Sequence, residues 1–221
     1  MRDYCLNAIL EGMSSSRPAT RRRAPAPGQR QVDGERSRAA LLDAALEEFA
    51  AKGFAGARVR DIAARAGVSK DLIAYHFGSK DGLYLAVQEA WLRREDTFSD
   101  PELPLSELLA RYLHDALGDP RPLRLLIWRG LTDPSQAPPD AGPQAEDLAG
   151  TRDRQRRGEL PGDIEPAMLR LLLLAAVAAP VTFPGTARRL FGIPPGDPRF
   201  EERYLHGLRR LLAHLASPPA Q

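Results

Sequence analysis

Val59-Arg60-Asp61-Ile62-Ala63-Ala64-Arg65-Ala66-Gly67-Val68-Ser69-Lys70-Asp71-Leu72-Ile73-Ala74-Tyr75-His76-Phe77 is the stretch on which the fold turns. Val59, Ile62, Ala63 and Ala66 recur at i, i+3, i+4 and i+7, the spacing of a helix with one apolar face. Gly67 breaks that helix, Val68 is an apolar plug for the turn, and Ser69 is of the type that caps a helix start by accepting from its free amides. A third short helix is then expected from Lys70 to His76, with Ile73 and Phe77 turned inward. Two short helices about a glycine turn form a helix-turn-helix layout, in which the second helix can enter a major groove while the first braces it. A glycine break between helices is common, so the layout is not specific by itself.

Outward from this stretch the pattern stays helical. Upstream, Leu42, Ala45, Leu46 and Phe49 share one face, and Gly53 after Lys52 is a natural stop. Downstream, Ser79 can cap a fourth helix through Leu83, Val87 and Trp91. Beyond the break at Asp100-Pro101-Glu102-Leu103-Pro104, helices are expected over Leu105–Leu117 and Arg121–Leu131. A loop follows over 133–143, then a polar helix from Gln144 to Arg157 that stops at Gly158. Asp163 opens an apolar helix ending near Ala179, with Pro166 tolerated in its first turn. Pro180, Pro184, Gly185 and Pro194-Pro195-Gly196 are read as interruptions, and Asp197-Pro198 starts a last helix striped by Tyr204, Leu208, Leu211 and Leu215. No stretch alternates with the period of a strand. The expected fold is all-α: a three-helix head with a helix-turn-helix, then a larger helical domain. The expected divisions are a flexible arm over 1–34, a head over 35–82 with the helix-turn-helix at about 59–78, and a second domain over 83–217.

The chain has 221 residues, 43% hydrophobic and 27% charged, enough for a core without disulfides or metal. Cys5 has no internal partner, and His76, His114, His206 and His214 lack metal-ligand spacing, so neither metal nor cofactor is expected. A reducing cytoplasm is the simplest compartment. The longest apolar run, Leu171 to Val181, is far short of the roughly 20 residues of a membrane span, and Met1 to Met13 has no secretory pattern. There is no Gly-rich phosphate loop, Gly-x-Ser-x-Gly or cleft-forming acid pair, so no catalytic residues and no enzyme are expected. A helical adaptor that binds no DNA fits the same composition. The net charge of +2 is uninformative, so a polyanion partner must be argued from where charges sit. Between Arg2 and Arg38 arginine outnumbers the acids Asp3, Glu11, Asp33 and Glu35. Such an arm can follow phosphates or enter a minor groove; a plain solvated tail, or a start at Met13, fits as well.

The finer string is more specific. Phe49-Ala50-Ala51-Lys52-Gly53-Phe54, Val59-Arg60-Asp61-Ile62-Ala63, Ala66-Gly67-Val68-Ser69-Lys70 and Tyr75-His76-Phe77-Gly78-Ser79-Lys80 with Leu83 resemble the head of the TetR family of transcriptional regulators. The resemblance implies that the third helix is the recognition helix, with Ser69, Lys70, Asp71, Leu72, Ala74 and Tyr75 toward double-stranded DNA and His76 and Lys80 as backbone clamps. Two departures stand out. Ala57 replaces a frequent Thr before the second helix, so Arg58 would carry that phosphate contact, and Ala74 replaces a frequent Tyr. On the bland reading Tyr75 and His76 close the head's own core, and Arg58 and Arg60 are solvated charges. By position, the segments Met168–Ala179 and Tyr204–Leu215 match the family's four-helix homodimer interface, with burial in a monomer core as the alternative. The resemblance further implies a repressor of a palindromic operator, released by an unidentified small-molecule effector. Trp91, Tyr112, His114 and Trp128 are candidates to line its cavity, since aromatics with a few polar groups suit such sites; the same residues also build ordinary cores.

Overall fold

The computed structural model describes residues 27–132 and 148–216. Most of the expected arm, Cys5, the loop over 133–143 and the start of the polar helix lie outside the described residues. The helices are α1 (Pro27–Gly56), α2 (Val59–Ala66), α3 (Asp71–Phe77), α4 (Lys80–Glu95), α5 (Leu105–Gly118), α6 (Arg121–Leu131), α7 (Ala149–Arg156), α8 (Pro166–Thr182), α9 (Pro184–Phe191) and α10 (Pro198–Ala216). Among the described residues there is no strand, and the fold is all-α.

Two apolar clusters organise these helices. The first joins Leu41, Ala45 and Phe49 of α1 to Ile62 of α2, Ile73 of α3, and Leu83, Tyr84 and Val87 of α4. Its aromatic centre is a triad: Tyr84 meets the edges of Phe49 and Phe54, each at 5.2 Å between ring centres. Leu125 of α6 also belongs to it, so this core extends across the expected boundary at residue 83. The second gathers Leu105, Leu109 and Ala116 of α5 with Leu169, Val177 and Val181 of α8 and Leu212 of α10.

The structure departs from sequence expectation in three places. Helix α1 begins at Pro27, inside the expected arm. Helix α8 runs through Pro180 to Thr182 rather than ending near Ala179. Proline at 180 withdraws the amide that would have met the Ala176 carbonyl, but the Tyr204 hydroxyl of α10 donates to that carbonyl at 2.7 Å. The freed acceptor is satisfied from the neighbouring helix, and the helix continues. Pro184, read as an interruption, instead opens α9, where a proline in the first turn loses nothing because that amide has no intrahelical partner.

An ion pair from the buried Arg154 to a half-buried Glu159 pins the second unit's entry. Arg154 of α7 donates to Glu159 at 2.9 Å and to the Leu103 carbonyl at 3.0 Å. Glu159 in turn accepts from the Leu105 amide at 2.6 Å, capping α5, whose own N-cap is Pro104 and offers no side-chain acceptor.

Candidate functional site

Helix α3 has only seven residues, too few to be stable alone. It is held by one apolar anchor and two turns. Ile73 is 1% exposed in the head core, a burial that stabilises by about 1.5–3 kcal/mol. Left-handed Gly67 closes α2 by donating back to Ala63 and Ala64. Ser69 does cap α3, from one position further out than expected: its hydroxyl accepts from the Asp71 amide at 3.3 Å. Anchoring Ile73 fixes the rotation of the helix and turns the opposite face outward. Lys70, Asp71 and Ala74 are exposed, and Tyr75 is 80% exposed. Leu72 is half-buried against the core. The alternative in which Tyr75 closes the head's core is therefore incorrect: the ring stands in solvent.

The flanking residues are less uniform. Arg58 is exposed at the N-cap of α2 and caps nothing with its side chain. His76 is half-buried, and its Nε2 finds no hydrogen-bond partner. Lys80 does not project freely, since its ammonium lies 4.5 Å from the centre of the Phe54 ring and burial lowers its pKa. Ser79 caps α4 by accepting from the Gly82 amide at 3.1 Å. Gly82 itself passes so close to α3 that a Cβ there would fall 2.0 Å from the Phe77 carbonyl oxygen. This junction was missed in the sequence, although a glycine in a helix's first turn beside a Ser cap was a signal for close approach.

The head is braced behind α3. Glu48 of α1 is 4% exposed and accepts from Lys52 at 2.5 Å and from Arg65 of α2 at 3.1 Å. The hydrogen bond from Lys52, then that from Arg65, hold its carboxyl below the usual range against the opposing effect of burial.

A cavity of about 890 Å³ opens in the second unit between α4, α5, α6, α7 and α8. Trp91 and Tyr112 line it. His114 does not: it is exposed on the far side of α5, where it faces Glu201 at 3.1 Å. Trp128 does not either. Its indole packs on Gly53, where a Cβ would come within 3.1 Å of the ring, and its Nε1 donates to the Ala50 carbonyl at 3.1 Å. Gly53 has φ of 68°, so the bend in α1 and the seat of Trp128 both depend on the missing side chain. Further along the same two helices Arg121, fixed by a fork to Asp119, reaches Asp43 of α1 at 2.9 Å. Helix α6 is thus a strut between cavity and head.

A short helix anchored inward by one residue, exposed outward beside a braced partner, has the geometry of a helix-turn-helix, the layout of DNA-binding regulators. The comparisons with known proteins agree. The sequence pattern of "Bacterial regulatory proteins, tetR family" matches residues 41–87. The HTH-type transcriptional repressor SCO4008 of Streptomyces coelicolor is 34% identical over 166 residues, covering 72% of this chain and 86% of that protein. The HTH-type regulator RutR of Escherichia coli K12 is 40% identical over 91 residues, a match confined to 37% of this chain and 43% of RutR. Among solved structures, SCO4942 of Streptomyces coelicolor superposes with a TM-score of 0.63 and 26% identity, over 79% of this chain and 97% of that one. The chain belongs to the TetR family of transcriptional regulators.

Proposed function

We propose that this chain is a cytoplasmic repressor that binds a palindromic operator as a homodimer and leaves it when a small molecule fills the cavity. The observation that carries the reading is the fixed outward face of α3, with Tyr75 at 80% exposure opposite Ile73 at 1%. Residues 35–82 form the DNA-binding head and 83–217 the regulatory and dimerisation domain, with α4 shared between them. Lys70, Asp71, Leu72, Ala74 and Tyr75 meet base edges and adjacent phosphates, and Arg58, Ser69, His76 and Lys80 serve the backbone. The repressor name of SCO4008 supports repression over activation.

Dimerisation is supported by apolar surface that the monomer leaves uncovered. On α8, Met168, Leu171, Leu172 and Leu174 are between 46% and 61% exposed, and on α10 Leu211 and Leu215 are 61% and 43% exposed. Leu171 and Leu174 also line the cavity, while Met168, Leu172, Leu211 and Leu215 are exposed apolar side chains of the kind that an interaction surface covers. Release is supported by the path of α4: Trp91 near its end lines the cavity, while its start abuts α3 through Gly82. A ligand shifts the heads only by its differential affinity for the two arrangements.

Footprinting on the DNA upstream of the protein's own gene tests this. Protection of two symmetric half-sites, lost on adding an active compound from a metabolite and antibiotic panel, is the expected result. Protection unchanged across a panel with proven cavity binders would overturn ligand release, and no protection at any salt would overturn operator binding.

A further inference from the structure

We propose that the DNA interface extends past the helix-turn-helix onto α1, where Arg38 clamps a backbone phosphate at the C-terminal end of the recognition helix. This rests on the reading of α3 as the helix that enters the major groove and adds a contact from outside that motif.

The seat of Arg38 carries the inference. Its guanidinium lies over the Phe77 ring, with Cζ 5.3 Å from the ring centre. Phe77 is the last residue of α3 and packs against the head core, so the seat is part of the recognition helix itself. A row of rings leads back from it to the outward face: His76 is 6.0 Å from Phe77, and Tyr75 is 4.9 Å from His76, between ring centres. A helix of seven residues is about 10 Å long, close to the roughly 12 Å width of a major groove. A cation against its last residue therefore stands beside a wall of the groove, where the phosphates lie.

What the guanidinium does not touch matters as much. Among the described residues Arg38 pairs with no carboxylate, although the exposed Asp33 and Glu35 precede it in α1. Other cations of the head are engaged by acids: Lys52 and Arg65 by Glu48, and Arg60 by Asp61. An aromatic seat differs from an acidic one, because it attracts the cation without cancelling its charge. A guanidinium held over a ring also keeps N–H donors at its edge, the geometry that grips a phosphate with two parallel bonds. Arg38 is half-buried, so part of it remains open to such a partner. Holding the side chain in place beforehand lowers the ordering cost when the phosphate arrives.

Three variants of the full chain separate charge from packing. Arg38→Met keeps a stem that packs on Phe77 without the charge, Arg38→Gln removes the charge with a shorter stem, and Arg38→Lys keeps a cation. Binding is followed across a salt series on the duplex upstream of the protein's own gene and on a scrambled duplex of equal length. The upstream duplex is then scanned with single neutral methylphosphonates along each footprinted half-site. In wild type, a methylphosphonate at the clamped position should weaken binding about fivefold or more. Arg38→Met and Arg38→Gln should lose a similar factor on the unmodified duplex, become insensitive at that position alone, and flatten the salt slope by about 0.9 per copy bound. The loss should be alike on both duplexes, since a phosphate contact carries no sequence information, and Arg38→Lys should keep the wild-type sensitivity. An Arg38 that only props up α3 would leave every methylphosphonate effect in place. That result, or an unchanged salt slope in a neutral variant with wild-type melting, overturns the clamp while the α3 reading stands. A wild type that binds no duplex at any salt overturns both.

Discussion

Tyr75 and Glu48 show how much single side chains decide in a head this small. A tyrosine at 80% exposure contributes little to stability, so its replacement separates reading DNA from folding. Glu48 is the converse case. It is buried and satisfied by Lys52 and Arg65, both of which keep about half their side-chain surface in water. Glu48→Gln is expected to cost about 1–2 kcal/mol in denaturant unfolding at neutral pH, less than a fully buried pair because its partners can return to solvent. The sign with pH follows from a lowered carboxyl pKa: the contribution is complete above the ordinary glutamate range and is lost as pH falls through the lowered value. The gap between wild type and variant should therefore close in acid, and a constant gap from neutral pH to below the carboxylate range would contradict the ion-pair account.

At the scale of the element, the junction of α3 and α4 is the most demanding. Alanine at 82 would gain up to about 1 kcal/mol in helix propensity, yet its Cβ would sit 2.0 Å from the Phe77 carbonyl oxygen. The steric term dominates, so Gly82→Ala should lower the melting temperature and weaken DNA binding while circular dichroism still shows a helical protein. Wild-type operator affinity in that variant would show that the junction does not set the recognition helix. Helices were legible in sequence where a periodic apolar face met a local stop. The expected bounds of α6, Arg121 to Leu131, agree with the structure. They were illegible where a distant residue decides: Pro180 stays helical because Tyr204 covers the Ala176 carbonyl, and nothing near Pro180 in sequence announces that. Likewise Trp128 belongs with Gly53 rather than the cavity, a contact that nothing near it in sequence announces.

For the whole molecule, the two cores and the strut between them join the cavity to the head, as the proposed ligand release requires. Helix α6 carries Leu125 into the head core, Trp128 onto Gly53 and Arg121 onto Asp43, which in the proposed release is the route from the cavity wall to α1. In the proposed homodimer the uncovered leucines of α8 and α10 are covered by a second copy. Leu172→Glu combined with Leu211→Glu, positions outside the cavity, should convert a dimer to a folded monomer in sedimentation velocity. A dimer of unchanged stability would move the interface elsewhere. The class of the protein was legible in the string from Phe49 to Leu83, because a helix-turn-helix is specified by local turns and one anchoring face. The cavity's chemistry was not, because it is assembled from five helices.

Salt-dependent fluorescence anisotropy on the upstream DNA tests the central claim most directly, comparing wild type with Tyr75→Ala and Lys70→Ala. The account predicts affinity that falls steeply with salt. Tyr75→Ala should lose about 1–3 kcal/mol of binding, and Lys70→Ala should flatten the salt slope by about one unit if it meets a phosphate, or lose specificity for the operator if it meets guanine. Folded variants that bind the duplex as wild type does, with the same slope and the same discrimination, would contradict it.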